Sequence, residues 1–191
     1  MEDWFDYFER VGNRPNLLVV GSVKDFVTGR SAALDLGCGN FRDSRWLKEC
    51  GGFERVVAVD PSEEIAAYLH DGIEYHPLRM QDFVISERSY DLIVACNALF
   101  YLSRDEVREL IPRAMRGLGS NGVFSFNLLG PRDGWVLKGL ERSWFTKDET
   151  EELIAPYDSY GATEVELDLT RANDDGKKWH LFSFSLGNVH S

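Results

Sequence analysis

Three features of the 191-residue sequence predict an α/β fold, a mostly parallel sheet with helices on both faces and an antiparallel hairpin at its end. Between residues 32 and 129, short β-rich runs alternate with amphipathic stretches, as in a parallel sheet with crossover helices. Within this region, Ala33-Leu34-Asp35-Leu36-Gly37-Cys38-Gly39-Asn40-Phe41 is an apolar run ending in an acid, followed by two glycines in three positions. Glycine lets a chain turn tightly and approach a ligand closely at the C-terminal end of a strand. Finally, residues 163–170 and 178–186 alternate apolar and polar on either side of the turn signal Asp175-Gly176, which reads as a hairpin.

The elements follow in order. Trp4, Phe5 and Phe8 fall at helical spacing, so residues 1–30 read as an N-terminal helical segment before a core over 31–191, the whole forming one domain. This aromatic stripe can pack as core or form a wall of the binding site. Ala32–Leu36 is the first strand, and a helix follows with Trp46, Leu47 and Cys50 on one face. The run around Val56-Val57-Ala58-Val59 is a second buried strand ending at Asp60. Ser62 can cap a helix carrying Ile65, Tyr68 and Leu69 at i, i+3 and i+4, and residues 73–76 form a weak third strand. Residues 90–96 make a fourth strand. Ser103-x-x-Glu106 is a capping box for a helix with Val107, Leu110, Ile111, Ala114, Met115 and Leu118 in register, and Pro112 predicts a kink in it. Residues 123–129 are the fifth strand, and Thr146-x-x-Glu149 is a second capping box for a helix that Pro156 ends.

Composition narrows the function. A net charge of −11, with no Lys/Arg stripe interleaved with aromatics, disfavours a nucleic-acid partner. No apolar stretch is long enough for a membrane span, and the acidic, aromatic N-terminus is unlike a secretory signal, so a cytoplasmic protein is expected. Cys38, Cys50 and Cys96 lack metal-ligand spacing and cannot all pair, so reduced thiols and no metal site are expected.

Asp60 lies 21 positions after Gly39, at the end of the next strand, where a carboxylate can accept both ribose hydroxyls of a nucleoside or cap the Ser62 helix. This pair suits a nicotinamide cofactor and S-adenosylmethionine alike. Asp35 separates them, because an acid before the glycines can meet an amino group and repels a pyrophosphate. Asn40-Phe41 in place of a third glycine, and the terminal hairpin, point the same way.

With Leu34-Asp35-Leu36-Gly37-Cys38-Gly39, Val57-Ala58-Val59-Asp60-Pro61-Ser62, and Tyr90-Asp91-Leu92-Ile93-Val94 before Asn97-Ala98-Leu99, the chain resembles the class I S-adenosylmethionine-dependent methyltransferases from about residue 17 to 187. The resemblance implies a Rossmann-like, seven-stranded sheet whose last strand inserts antiparallel, with S-adenosyl-L-methionine as cofactor. It also implies Gly37 and Gly39 under the methionine part, Asp60 on the ribose and Gln81-Asp82-Phe83 beside the adenine, with Cys38 and Pro61 as further cofactor contacts. Asp82 can instead cap a short turn. The N-terminal aromatics Trp4, Tyr7 and Phe8, with Arg14-Pro15, Arg42-Asp43-Ser44 and Trp179-His180, are similar to the small tellurite-resistance-type methyltransferases. Phe41 stands where a small glycine is usual in them, and Phe100 where many carry a histidine.

Methyl transfer from a sulfonium draws much of its acceleration from positioning, so a base is needed only for acceptors that must lose a proton. Of the histidines, His70 and His76 lie at element ends, and His180 is a sheet histidine or an acceptor contact. No catalytic residue is assigned. Asn97, at the mouth of the fourth strand, is a cofactor or acceptor contact or a polar turn residue. The long 129–145 connection brings Arg132 and Trp135, which can form a lid or a solvated loop. Tyr7, Tyr101, Arg132, Trp135 and His180 are the acceptor candidates. The expected acceptor is a small molecule: a thiol, oxyanion, amine or carboxylate. Alternatives are a non-catalytic nucleoside-binding regulator and a protein methyltransferase. The base-reading Asn/Asp-Pro-Pro-Tyr type motif is absent, and Ala95-Cys96-Asn97-Ala98 stands in its place.

Overall fold

The computed structural model describes Gly12 and residues 14–168 and 178–188. Helix α1 (Leu17–Asp25) is opened by Asn16, whose side chain accepts the Leu18 amide, and leads into β1 (Ala32–Leu36). Then come α2 (Arg42–Glu49), β2 (Arg55–Val59), a 3-10 helix at Glu63–Tyr68, β3 (Ile73–His76) and β4 (Tyr90–Ala95). After α3 (Arg104–Gly117) and β5 (Leu118–Leu129), a short α4 (Gly134–Leu137) and α5 (Lys147–Ile154) precede β6 (Asp158–Asp168) and β7 (Lys178–Gly187).

The seven strands form one sheet in the order β3-β2-β1-β4-β5-β7-β6. The first five pair in parallel, and β7 enters antiparallel between β5 and β6. The order reverses between β1 and β4, so a crevice opens beyond their C-terminal ends, where ligands bind in open α/β sheets. All five residues of β1 are buried, as expected of a strand covered on both faces. One face packs Val19 and Val23 of α1 and Leu47 of α2 against Ala33, Val56, Ala58 and Leu92. The other packs Val107, Leu110 and Ile111 of α3 against Leu34, Val57, Ile93 and Phe124.

Both capping boxes form as the sequence predicts, at Ser103 with Glu106 and at Thr146 with Glu149. Helix α3 runs on through Pro112. Strand β5 begins at Leu118 rather than 123, because Leu118 pairs with Tyr90 ahead of a register shift. The helix expected after Ser62 is only a 3-10 helix. The Ser62 hydroxyl bonds Glu64 instead of capping, and Leu69 is exposed, so Ile65 alone is buried there. Cys50 is exposed at the end of α2, not part of its inner face. The hairpin forms over longer strands than expected, and its Asp175-Gly176 turn lies outside the described residues, as does the N-terminal aromatic stripe.

Candidate functional site

The crevice at the ends of β1, β2 and β4 is a cavity of 680 Å³, lined by the loop after β1, residues 60–64 after β2, Arg79, Met80 and Gln81, and residues 96–98, 101 and 102 after β4. Its floor is the glycine loop. Gly37 has φ +75°, and a Cβ there would fall 2.5 Å from the Cβ of Ala98, so only glycine lets β1 and β4 come together at this point. The Gly37 amide donates to the Val59 carbonyl at 2.7 Å.

Asp60 closes the loop from the β2 side. One carboxylate oxygen accepts the Gly39 amide at 3.1 Å and the other accepts the Ser62 amide at 3.0 Å. Asp60 thus holds the turn before the 3-10 helix and also lines the cavity. An ionised carboxylate has about four lone-pair directions, so each oxygen keeps one for a ligand hydroxyl. Burial raises the Asp60 pKa, and the two amides oppose the shift.

Behind the loop stands a buried acidic pair. Asp35 is enclosed and accepts the Ser44 hydroxyl at 2.5 Å. Burial first, and then the charge of Asp43, push its carboxyl up to about 7. Asp43 lines the cavity, accepts the Asn16 amide at 2.6 Å and is also raised by burial. Gly12 accepts a bond from the Asn40 side chain, so Gly12 and Asn16 both lie against the loop. The lining includes the acids Asp43, Asp60, Glu63 and Glu64 against the cations Arg42 and Arg79. Such a cavity favours a cationic ligand, and the glycine cradle with an acid at the β2 end fits S-adenosylmethionine better than a pyrophosphate.

A family model described as "Methyltransferase domain" matches residues 33–122, which hold this loop, Asp60 and β4. Over nearly the whole chain, the fold is similar to TehB from Haemophilus influenzae, with a TM-score of 0.75 at 20% identity, covering 97% of this chain and 67% of that one. An S-adenosylmethionine dependent methyltransferase from Mesorhizobium loti matches with a TM-score of 0.67 at 19% identity, covering 90% and 98%. The matched segment and the fold around it together support a class I S-adenosylmethionine-dependent methyltransferase. A curated relative, N-terminal Xaa-Pro-Lys N-methyltransferase 2 of Danio rerio, is 30% identical over an alignment of 128 positions covering 60% of this chain. The chain spans 44% of that relative's length.

The residues named from sequence divide into two groups. Gly37, Cys38, Gly39, Asp60, Pro61, Gln81, Asn97 and Tyr101 come together in the cavity lining. The Gln81 side chain donates to Glu106 at 2.9 Å, and that bond with those from Ser103 holds the Glu106 carboxyl down at about 2. Asp35, Asp82, Phe83, Arg132, Trp135 and His180 lie outside the lining. Asp82 is exposed, and Phe83 is buried with its ring centroid 5.1 Å from that of His76.

Arg132 and His180 fasten the 129–145 connection to the hairpin. The Arg132 guanidinium pairs with Glu164 and Glu166 on β6, and its amide donates to Nδ1 of His180 at 3.1 Å. Because Nδ1 accepts, the ring proton sits on Nε2, which donates to Glu164 at 2.9 Å. Glu164, Glu166 and His180 therefore gather around a resident cation, Arg132, rather than around an open metal position. Trp135 packs on Phe100 and Trp179 and beneath Arg142, which also covers the ring of the rim residue Tyr101. Phe100 is thus buried in an aromatic cluster and does not line the cavity. Tyr7 lies outside the described residues.

Sequence reasoning missed Asp43 and Asn127. Asp43 carries a local signal, an acid in the first turn of the helix that follows the loop. Asn127 carries none. It sits on β5, and its side chain bonds Asn97, thirty positions away.

Proposed function

We propose that the chain transfers a methyl group from S-adenosylmethionine to a small-molecule acceptor. The acid-rich cavity at the glycine loop carries the reading, with Asp43 and Asp60 in its lining and Asp35 directly behind. Bound S-adenosylmethionine supplies a methyl group already activated on a cationic sulfur. On this reading, Gly37, Cys38 and Gly39 cradle the methionine part, and Asp60 with Pro61 takes the ribose. Gln81 lies beside the adenine, with Phe83 and Asp82 shaping that end from outside the lining. Asn97 and Tyr101 face the reacting end.

No histidine lines the cavity among the described residues. This favours acceptors that arrive as nucleophiles, such as thiolates and oxyanions, for which holding the two reactants in line is sufficient. No helix among the described residues is long and apolar enough to cross a membrane. Cytoplasmic action is part of the proposal and rests on three unpaired cysteines.

The test is calorimetric titration with S-adenosylhomocysteine, followed by turnover on a panel of thiols, oxyanions, amines and carboxylates. Binding and turnover are expected. A melting temperature raised by a nicotinamide cofactor and not by S-adenosylhomocysteine would overturn the reading. The zebrafish relative's name supports a second reading, in which the acceptor is a peptide amine. A peptide beginning Xaa-Pro-Lys belongs in the panel for that reason. Binding without turnover on any acceptor would identify a nucleoside-binding regulator instead.

A further inference from the structure

Asn97 leaves β4 with a left-handed backbone, φ 56°, and its amide donates to Oδ1 of Asn127 at 2.7 Å. Asn127 is buried on β5, one residue beyond the Ala95 and Phe126 pair, and its Nδ2 donates to Oδ1 of Asn97 at 2.8 Å. Together the two bonds fix which way both side chains face. A backbone N–H only donates, so the Asn127 atom against it is oxygen. The other terminal atom of Asn127 is then nitrogen, and the Asn97 atom that receives its bond is oxygen. What remains of the Asn97 side chain is an NH2 group with no partner among the described residues.

Asn97 lines the cavity beside Ala98, the residue that meets Gly37. Its free group is therefore a donor of fixed polarity at the glycine-loop end. We propose that Asn127 is a positioning residue that holds Asn97 as a hydrogen-bond donor to the carboxylate at the amino-acid end of the cofactor. The proposal rests on the S-adenosylmethionine reading above. Of the groups such a cofactor brings to this loop, the ammonium and sulfonium call for acids, and Asp60 can meet the ribose hydroxyls. The carboxylate alone needs donors. An unclamped asparagine presents either end, and its oxygen would repel the carboxylate.

Asn127→Asp inverts the arrangement without changing its shape. The new carboxylate still accepts the Asn97 amide, but its second oxygen now needs a donor, so Asn97 turns its NH2 inward and presents oxygen to the cavity. Asn97→Asp makes the same inversion at the cavity surface while Asn127 keeps both bonds. The readout is the calorimetric affinity for S-adenosylhomocysteine against that for 5′-methylthioadenosine, which shares the nucleoside and thioether and lacks the amino-acid end.

Both variants are expected to bind S-adenosylhomocysteine about tenfold or more weakly than the wild type, and methylthioadenosine within about twofold. An unchanged ratio of the two affinities overturns the proposal, as does an equal loss for both ligands. A wild type that binds neither ligand overturns the cofactor reading instead. Melting curves confirm that each variant is folded. Asn97→Asp, at a half-buried position, carries the test if the buried Asn127→Asp does not fold.

Discussion

The Asp60 carboxylate accepts the amide of Gly39 at 3.1 Å, tying the end of β2 to the loop that leaves β1. The same carboxylate also accepts from Ser62, so one side chain sets the spacing of the two segments a nucleoside would span. Asp60→Asn keeps the volume and one acceptor oxygen but turns the other into a donor, against either an amide or a ribose hydroxyl. Affinity for S-adenosylhomocysteine should fall by about tenfold or more. Asp60→Ala frees both amides, so urea unfolding should show a further loss of about 1–2 kcal/mol in stability. Unchanged affinity in both variants would remove Asp60 from the cofactor site.

Gly37 is constrained by space as well as by its φ of +75°. The Cβ of Gly37→Ala would lie 2.5 Å from the Ala98 Cβ, a separation that backbone must move to relieve. The variant should lose most cofactor affinity while remaining folded, because the strain falls at the C-terminal end of β1 and leaves the strand's own pairing intact. Ala98→Gly in the same chain removes the collision but not the left-handed strain, which costs about 1–2 kcal/mol. Partial rescue of binding in the double variant is the expected result. No rescue would show that the Ala98 contact does not matter.

Asp35 and Asp43 predict a pH dependence of definite sign. In the folded protein, burial raises both carboxyls above their ordinary range, Asp35 to about 7. Below about pH 4 the groups are protonated folded or unfolded, and they cost nothing. As pH rises from there toward 7, the unfolded chain releases protons that the folded chain retains, so stability without cofactor falls, then levels off above the folded value. Asp35→Asn should abolish part of that decline, read as a smaller change in melting temperature between pH 5 and 7.5. A cationic ligand favours the ionised acids, so binding S-adenosylmethionine near pH 6 should release protons. Titrations in buffers of different ionisation enthalpy would detect the release, and its absence would separate this pair from the cofactor site.

What could be read from sequence was local. The buried run of β1 and the capping boxes at Ser103 and Thr146 depend on neighbours within a few positions, and all three form as expected. The glycine loop and Asp60 were legible for a similar reason, since a turn needs glycine and a strand end fixes where the next acid falls. Long-range partners were not. Arg132 looked available for a ligand because Glu164 and Glu166, which pair with it, lie on a strand more than thirty residues later. His180 gave no sign that its Nδ1 accepts a main-chain amide. Leu118 joined β5 because Tyr90 offers it a partner, although its own surroundings read as the end of a helix.

Phe41 sets backbone strain against packing, and magnitudes decide between them. It opens α2 with φ 60° and ψ 15°, a left-handed conformation that a large residue adopts only under constraint. Its ring is 1% exposed and meets Tyr75 edge-on, with centroids 5.1 Å apart. Tyr75 in turn donates to the carbonyls of Asp60 and Ser62, so the ring supports the β2 side of the site without lining the cavity. Phe41→Gly relieves about 1–2 kcal/mol of strain and forfeits about 3–5 kcal/mol of buried ring. Packing wins, and the variant should be about 2–3 kcal/mol less stable in urea unfolding. Affinity for S-adenosylhomocysteine should fall only a few-fold, because the residue acts through Tyr75. A variant more stable than the wild type would show that strain dominates and that the ring is not part of the support beneath Asp60.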